Sequence, residues 1–474
     1  MGEKIIAELA GALASGIPAA DTDIDGCCYI RKNTDFLNDY IEIPSFEEVS
    51  EDKQKYAIAT KMEYDNQDCK TAKTLVQKHA GRYLVVNPPM APLDEAELDR
   101  VYEMDFAYDY HPIYKPYGGV PAIDEVRFSI THNRGCFGEC NFCALTFHQG
   151  RQVRSRSVAS VVKEAKRITQ MPGFKGYIHD IGGPTANFTK PSCEKQLKHG
   201  TCTHRSCLSP NVCKNLEADH SKYLEMLRRV RALPKVKKVF IRSGIRYDYM
   251  MADKNKTFLR ELCEHHISGQ LRVAPEHISD RVLSLMGKPS AKIYDKFCAD
   301  FDKCSEKLGK EQYVVPYLMS SHPGSTLDDA IELALYTKRH HINPKQVQDF
   351  YPTPFTISTC MYYTGINPLD MKKVYVPKGE EKLMQRALLQ YSDPSNHNLV
   401  IKALKKAHRE DLIGFGPDCL VRPRLLKSEK PNSNKPRQRK EKTNELSDFR
   451  RKKSITKGKG RTQTKGGRPE GKRR

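Results

Sequence analysis

The chain has 474 residues, is 38% hydrophobic and carries a formal net charge of +21. That length suggests two or three domains, with apolar residues enough for a sizeable core. No run of about 18 apolar residues occurs, which argues against a transmembrane helix. The opening stretch MGEKIIAELAGALASG lacks the charged-then-apolar layout of a signal peptide, so a cytoplasmic protein with no membrane partner is expected. Fifteen cysteines in a reducing compartment point to metal binding or thiol chemistry rather than a disulfide framework.

Residues 1–120 open on an amphipathic helix with no preceding strand and read as a partial N-terminal α/β domain. From 121 to 352, apolar runs alternate with amphipathic helical stretches. The expected strands are VRFSIT (126–131), GYIHDI (176–181), KVFIRS (238–243), LRVAPE (271–276), YVVPYLM (313–319) and QVQDFY (346–351). Such alternation implies a parallel sheet with helical crossovers. Polar and Gly-rich segments follow every one of these strands: NRGCFGECNFC, GGPT, SGIR, PEH, SSHPGST and PTP. Chemistry at all the carboxyl ends favours a partial (β/α)6 TIM-like barrel over an open sheet with a single switch point. Residues 353–426 then form a C-terminal extension packed on the barrel.

Residues 422–474 hold 21 Lys and Arg against five Asp and Glu, so the rest of the chain is nearly balanced. From 427 onward apolar residues almost vanish, and a disordered basic tail is expected. A flexible polycation suits an RNA partner through counterion release, or has no dedicated partner at all.

Cys136, Cys140 and Cys143 are spaced C-x3-C-x2-C. Three thiolates on one short loop suit three irons of a [4Fe–4S] cubane and leave the fourth open. Gly135 and Gly138 let the backbone wrap closely, and Phe142 can present an aromatic face. The alternatives are zinc, with His132 or His148 as a fourth ligand, or three unrelated buried cysteines. A second group, Cys193, Cys202, Cys207 and Cys213, falls within a long polar loop that needs some means of ordering. A structural zinc, an auxiliary Fe–S cluster or free thiols are all open there, with His199 and His204 as substitute ligands. Cys263, Cys298 and Cys304 lie in helical patterns and read as small core hydrophobes.

RFSITHNRGCFGECNFCALTFHQGR, DIGGPTAN, RSGIRYD, LRVAPEH and PYLMSSHPGST resemble the YgiQ family of radical S-adenosylmethionine (radical SAM) proteins, which have no assigned reaction. The resemblance covers most of residues 1–425. Family members are longer at the N-terminus, where they resemble cobalamin-binding enzymes, so a longer form could use that cofactor. The resemblance implies a [4Fe–4S] cluster on Cys136, Cys140 and Cys143, SAM as co-substrate, and a reductant such as flavodoxin or ferredoxin. It places Gly182 and Gly183 at the methionine amino group, Phe142 at adenine, and Ser243 and Arg246 at ribose and carboxylate. Glu276 reaches the same pocket. Pro184 stands where an acidic residue is common. Three functions follow as expectations: a radical SAM enzyme acting on RNA or a ribosomal component, one acting on a small molecule, or a non-catalytic zinc protein that binds nucleic acid.

Overall fold

The computed structural model describes residues 2–423; the basic tail expected from 427 lies outside the described residues. The chain begins with the helix Gly2–Ala14, tied down by ion pairs from Lys4 to Glu97 and from Glu3 to Arg134. Next comes a four-stranded sheet of β1 (Cys28–Arg31), β2 (Tyr40–Ile43), β3 (Thr74–His79) and β4 (Arg82–Val86). Its order is β1-β4-β3-β2, with β2 and β3 parallel and the other pairs antiparallel. The β3–β4 hairpin turns at Ala80 and Gly81.

Parallel strands carry the middle of the chain. β5 (Ser129–Thr131) is preceded by a helical turn, Ile123–Val126, where the apolar run had predicted strand. β6 (Asn133–Arg134) and β7 (Arg154–Ser155) form a short antiparallel clamp. β8 (Tyr177–Ile178) and β9 (Asp180–Gly182) are separated only by His179, whose N–H bonds Phe128 O. β5 pairs with β9, and β10 (Lys238–Val239) pairs with β8. A second group comprises β11 (Gln270–Glu276), β12 (Tyr313–Ser320) and β13 (Gln348–Asp349), all parallel.

The six expected strands therefore form parallel pairs, but not one hydrogen-bonded sheet: among the described residues no ladder joins β10 to β11. The cause is local. The N–H groups of Arg242 and Ser243 are taken by the Asp180 carboxylate, which ends β10 early. The gap is bridged by His266 Nδ1 on Val239 O and Lys238 Nζ on Ile267 O.

The helices Val158–Ile168 and Ser221–Arg231 cover the first group, burying Val161, Ala165, Ile168, Tyr223, Leu227 and Val230 against Ile130, Ile178, Ile181 and Val239. Spacing of three and four residues sets these apolar positions on one helical face. Ser157 caps the first helix by accepting from Ser160 N. The helix Ala291–Lys307 adds Tyr294, Phe297 and Phe301 to the same core, which Cys263 joins while Cys298 and Cys304 pack at its margin. Beyond β12, the helices Leu327–Arg339, Glu380–Leu389 and His397–Lys406 share a separate apolar cluster around Ile331, Leu388 and Val400. No helix of the described residues is long and apolar enough to cross a membrane.

Candidate active site

The β6–β7 clamp closes the loop that carries the three cysteines. Gly135 has φ +83°, and a Cβ there would strike Gln152 O, so only glycine fits this turn. Its N–H donates to Gln149 Oε1 at 3.1 Å, and Cys136 N donates to Gly150 O at 3.0 Å. The far side of the loop is pinned by Asn141, whose N–H bonds Met286 O and whose Nδ2 bonds Leu285 O. Glu139 sits at φ 47° and is buried against Arg151, with Nε to Oε1 at 3.1 Å. Burial pushes its carboxyl up, opposed by Arg151.

The thiols of Cys136, Cys140 and Cys143 lie within electrostatic reach of one another. Burial, reinforced by Cys140, raises Cys136, and it raises Cys143 to about 11. A metal centre would thus displace protons from these groups on binding. A single tetrahedral zinc would need its sulfurs roughly 3.8 Å apart. Among the described residues no three His, Cys, Asp or Glu are placed to hold one ion. His132 is not a ligand partner for the thiols: it is fully buried, donates Nε2 to Ala186 O at 2.7 Å and stacks on Tyr223. His148 lines a cavity formed with the N-terminal region.

Two further segments reach this loop. After β9, Thr185 Oγ1 lies 3.4 Å from Cys136 Sγ. After β10, Arg246 Nη1 donates to Cys140 Sγ at 3.3 Å and to Gly138 O at 3.4 Å. Arg246 is held by a bidentate pair with Asp248, at 2.8 and 2.5 Å. Burial opposes its charge, but Asp248 keeps it firmly protonated. Its guanidinium fork is therefore engaged by Asp248, Cys140 and Gly138, where the resemblance had implied a ligand carboxylate. Gly138 must lack a side chain, because a Cβ would meet Arg246 Nη1 and lie 3.2 Å from Cys136 Sγ. The two segments are stitched together by Asn187, whose Oδ1 accepts from Arg246 N at 2.9 Å and whose Nδ2 donates to Arg246 O at 3.1 Å.

Gly182 and Gly183 are required for space. A Cβ on Gly182 would fall on the Ser243 hydroxyl, which is hydrogen-bonded to Asp180. A Cβ on Gly183 would fall on Asn133 Oδ1. Asn133 cannot swing aside, because its Nδ2 donates to Thr185 O at 2.8 Å and Phe188 O at 2.5 Å. A Gly183→Ala variant should lose about 3 kcal/mol or more of stability through overpacking. In thermal melts it should fall well below wild type, and adding Asn133→Ala should recover part of the loss. A wild-type melt would contradict this packing.

Glu276 ends β11 at φ 70°, buried, beside a register shift in the β11–β12 ladder. A non-glycine residue held there is strained, and such strain gathers at functional positions. Burial raises its carboxyl, while Lys288 and Arg246 pull it back. Lys288 is itself buried and donates Nζ to Ala274 O at 2.6 Å. Phe142 packs with Val282, Met286 and Phe350 and meets His322 edge-on at 6.1 Å. Sequence reasoning missed Asp180, Thr185, Asn187, Asp248 and Lys288. The first four lie in or beside the DIGGPTAN and RSGIRYD segments, so proximity to those motifs was the available signal.

Among the described residues, Cys193, Cys202, Cys207 and Cys213 are not placed together to hold one metal ion. Cys193 and Cys213 lie within electrostatic reach of Cys207, while Cys202 is exposed. Burial pushes Cys207 up to about 12. The loop carries its own order instead: Leu208, Leu216, Ala218 and Cys207 pack with Phe137, Phe188 and Tyr249, and Phe137 stacks on Phe188 at 3.8 Å. Asp68 of the N-terminal region accepts from Thr201 N at 3.0 Å.

Residues 1–129 match the family described as Radical SAM N-terminal, and residues 345–472 match a domain of unknown function, DUF3362. A UPF0313 protein of Clostridium botulinum (strain ATCC 19397 / Type A) is 59% identical over 423 residues, covering 89% of this chain and 66% of the relative. One from Clostridium perfringens (strain 13 / Type A) is 57% identical over 425 residues, covering 89% and 64%. The chain belongs to the UPF0313 (YgiQ) family and spans just under two thirds of the length of these curated relatives. Among solved structures, the radical S-adenosylmethionine methyltransferase TsrM from Kitasatospora setae, with tryptophan substrate and a SAM analog bound, aligns at 14% identity and a TM-score of 0.43, covering 84% of this chain and 66% of that one. Its cobalamin- and [4Fe–4S]-bound form aligns at 15% identity and 0.35, covering 60% and 48%.

Proposed function

We propose that Cys136, Cys140 and Cys143 hold a [4Fe–4S] cluster and that SAM binds over it, making this chain a radical SAM enzyme built on a partial barrel. The observation that carries the reading is the meeting of three separate segments at the thiols: the cysteine loop, Thr185 after β9 and Arg246 after β10. When bound and reduced by an external donor such as flavodoxin or ferredoxin, a cluster with one open iron would supply the electron that splits SAM into methionine and a 5′-deoxyadenosyl radical. The chain's own part is position and charge. Arg246 and the Gly138 N–H donate to Cys140 and Cys136 sulfurs, which stabilises thiolate charge in a buried site. Asp180 and Ser243 offer a carboxylate and a hydroxyl at Gly182, a pair suited to ribose hydroxyls. Glu276 and Lys288 place a carboxyl and an amine within electrostatic reach of each other beside the site.

Anaerobically reconstituted protein should carry about four irons and as many sulfides per chain. A stoichiometric zinc in place of iron would favour the zinc reading instead.

A further inference from the structure

In the β6–β7 clamp, Asn133 stands opposite Ser155, and Arg134 stands opposite Arg154. Alternate residues of a strand face opposite sides. Asn133 and Ser155 therefore share one face, stitched to the carbonyls of Thr185, Phe188 and Thr189. The two arginines share the other face. That face opens on a cavity of about 440 Å³ between the cysteine loop and the N-terminal region.

Like charges directly opposite in an antiparallel pair repel. Arg134 is compensated: its Nη1 reaches Glu3 Oε1 at 2.6 Å, and its guanidinium lies over the Tyr102 ring. Arg151, which also lines the cavity, is held by Glu139. Arg154 has no such partner. Its side chain makes one hydrogen bond, from Nη2 to Gln152 Oε1 at 3.4 Å, and its Nε is buried with no acceptor. Among the described residues no carboxylate pairs with it. Arg154 is half-buried, and with its Nε shielded and no carboxylate beside it, the guanidinium is free to take an anion from the cavity in a charge-assisted hydrogen bond.

The rest of the lining includes Met90, Leu93, Leu98, Phe147 and Phe355. The volume falls in the range of small-molecule pockets. We propose that this cavity binds a small organic anion with an apolar body, its carboxylate or phosphate head seated on Arg154. The site is separate from the SAM cleft, since it lies on the opposite face of the clamp from the Gly183 segment. It adjoins the start of the cysteine loop, through Gln149 on Gly135 and Gly150 on Cys136.

Calorimetric titration of the full reconstituted chain tests this with phenyl phosphate and phenylacetate, and with benzyl alcohol as the neutral control. At least one anion should bind at one site per chain, and the pair tells phosphate from carboxylate. The alcohol should not bind. Arg154→Gln should weaken anion binding by roughly tenfold or more, the loss of a charged hydrogen bond, and Arg154→Lys should recover part of it. The ligand-free Arg154→Gln variant should melt at or above wild type, because it removes an opposed cation. The proposal is overturned if neither anion binds, if binding survives Arg154→Gln, or if the ligand-free variant melts several degrees lower.

Discussion

Cys140→Ala is expected to abolish iron retention at the three-cysteine loop and all reductive cleavage of SAM. Two thiolates cannot hold a cubane in a fixed orientation, and Cys140 is also the sulfur on which Arg246 converges. The fold itself should survive. Cys140 lies outside the apolar clusters, and the loop keeps its anchors at Gly135, Cys136 and Asn141. Iron content and 5′-deoxyadenosine formation should therefore drop to background while the metal-free protein melts close to wild type. Undiminished cleavage by the variant would remove Cys140 from the site.

The second large effect is with acid. His132, His266 and His277 are depressed to about 4 and His322 to about 3, in each case first by burial. His277 must stay neutral for its contacts, since its Nδ1 accepts from both Ile278 N and Ser279 N. His322 is fixed between Pro323 O and the Ser358 hydroxyl. A histidine whose folded pKa lies below its unfolded value of roughly 6.5 contributes nothing above that pH. As pH falls from about 6.5 towards 4, the unfolded chain takes up protons that the folded chain refuses, and stability is lost. Each group forfeits on the order of 3 kcal/mol across that window, so four together rival the whole stability of a typical domain, roughly 5–15 kcal/mol. Glu139 and Glu276, raised by burial, return part of this as pH falls towards the ordinary carboxylate range, and nothing further below it. Melting temperature should be nearly level from pH 8 to 7 and drop steeply between 6.5 and 5. A flat profile down to pH 5 would show that these rings are not buried neutral.

The cysteine loop was legible in the sequence because its chemistry is local: three thiols, and glycines where the backbone must pass close. The strands were legible as apolar runs, and the segments that follow β9 and β10 as polar breaks. What those breaks do was not legible. Asp180 ends β10 by taking the Arg242 and Ser243 N–H groups, and Asp248 takes the fork of Arg246. Both are pairings of side chains with groups that the sequence does not mark as their partners. The second cysteine group stayed open for a similar reason. Spacing along the chain says how near four thiols can come, but apolar packing around Phe137 and Phe188 decides where Cys207 goes. Val126 was read as strand from its apolar neighbours, yet Ile123–Val126 closes a helical turn before β5.

Three thiolates that present a cluster to SAM have a direct chemical signature. Quantifying 5′-deoxyadenosine from the reconstituted wild-type chain, given dithionite and SAM under anaerobic conditions, tests it most directly. Cleavage should require the cluster and be absent in Cys140→Ala. A fully iron-loaded, folded protein that forms no 5′-deoxyadenosine above the variant's background would contradict it.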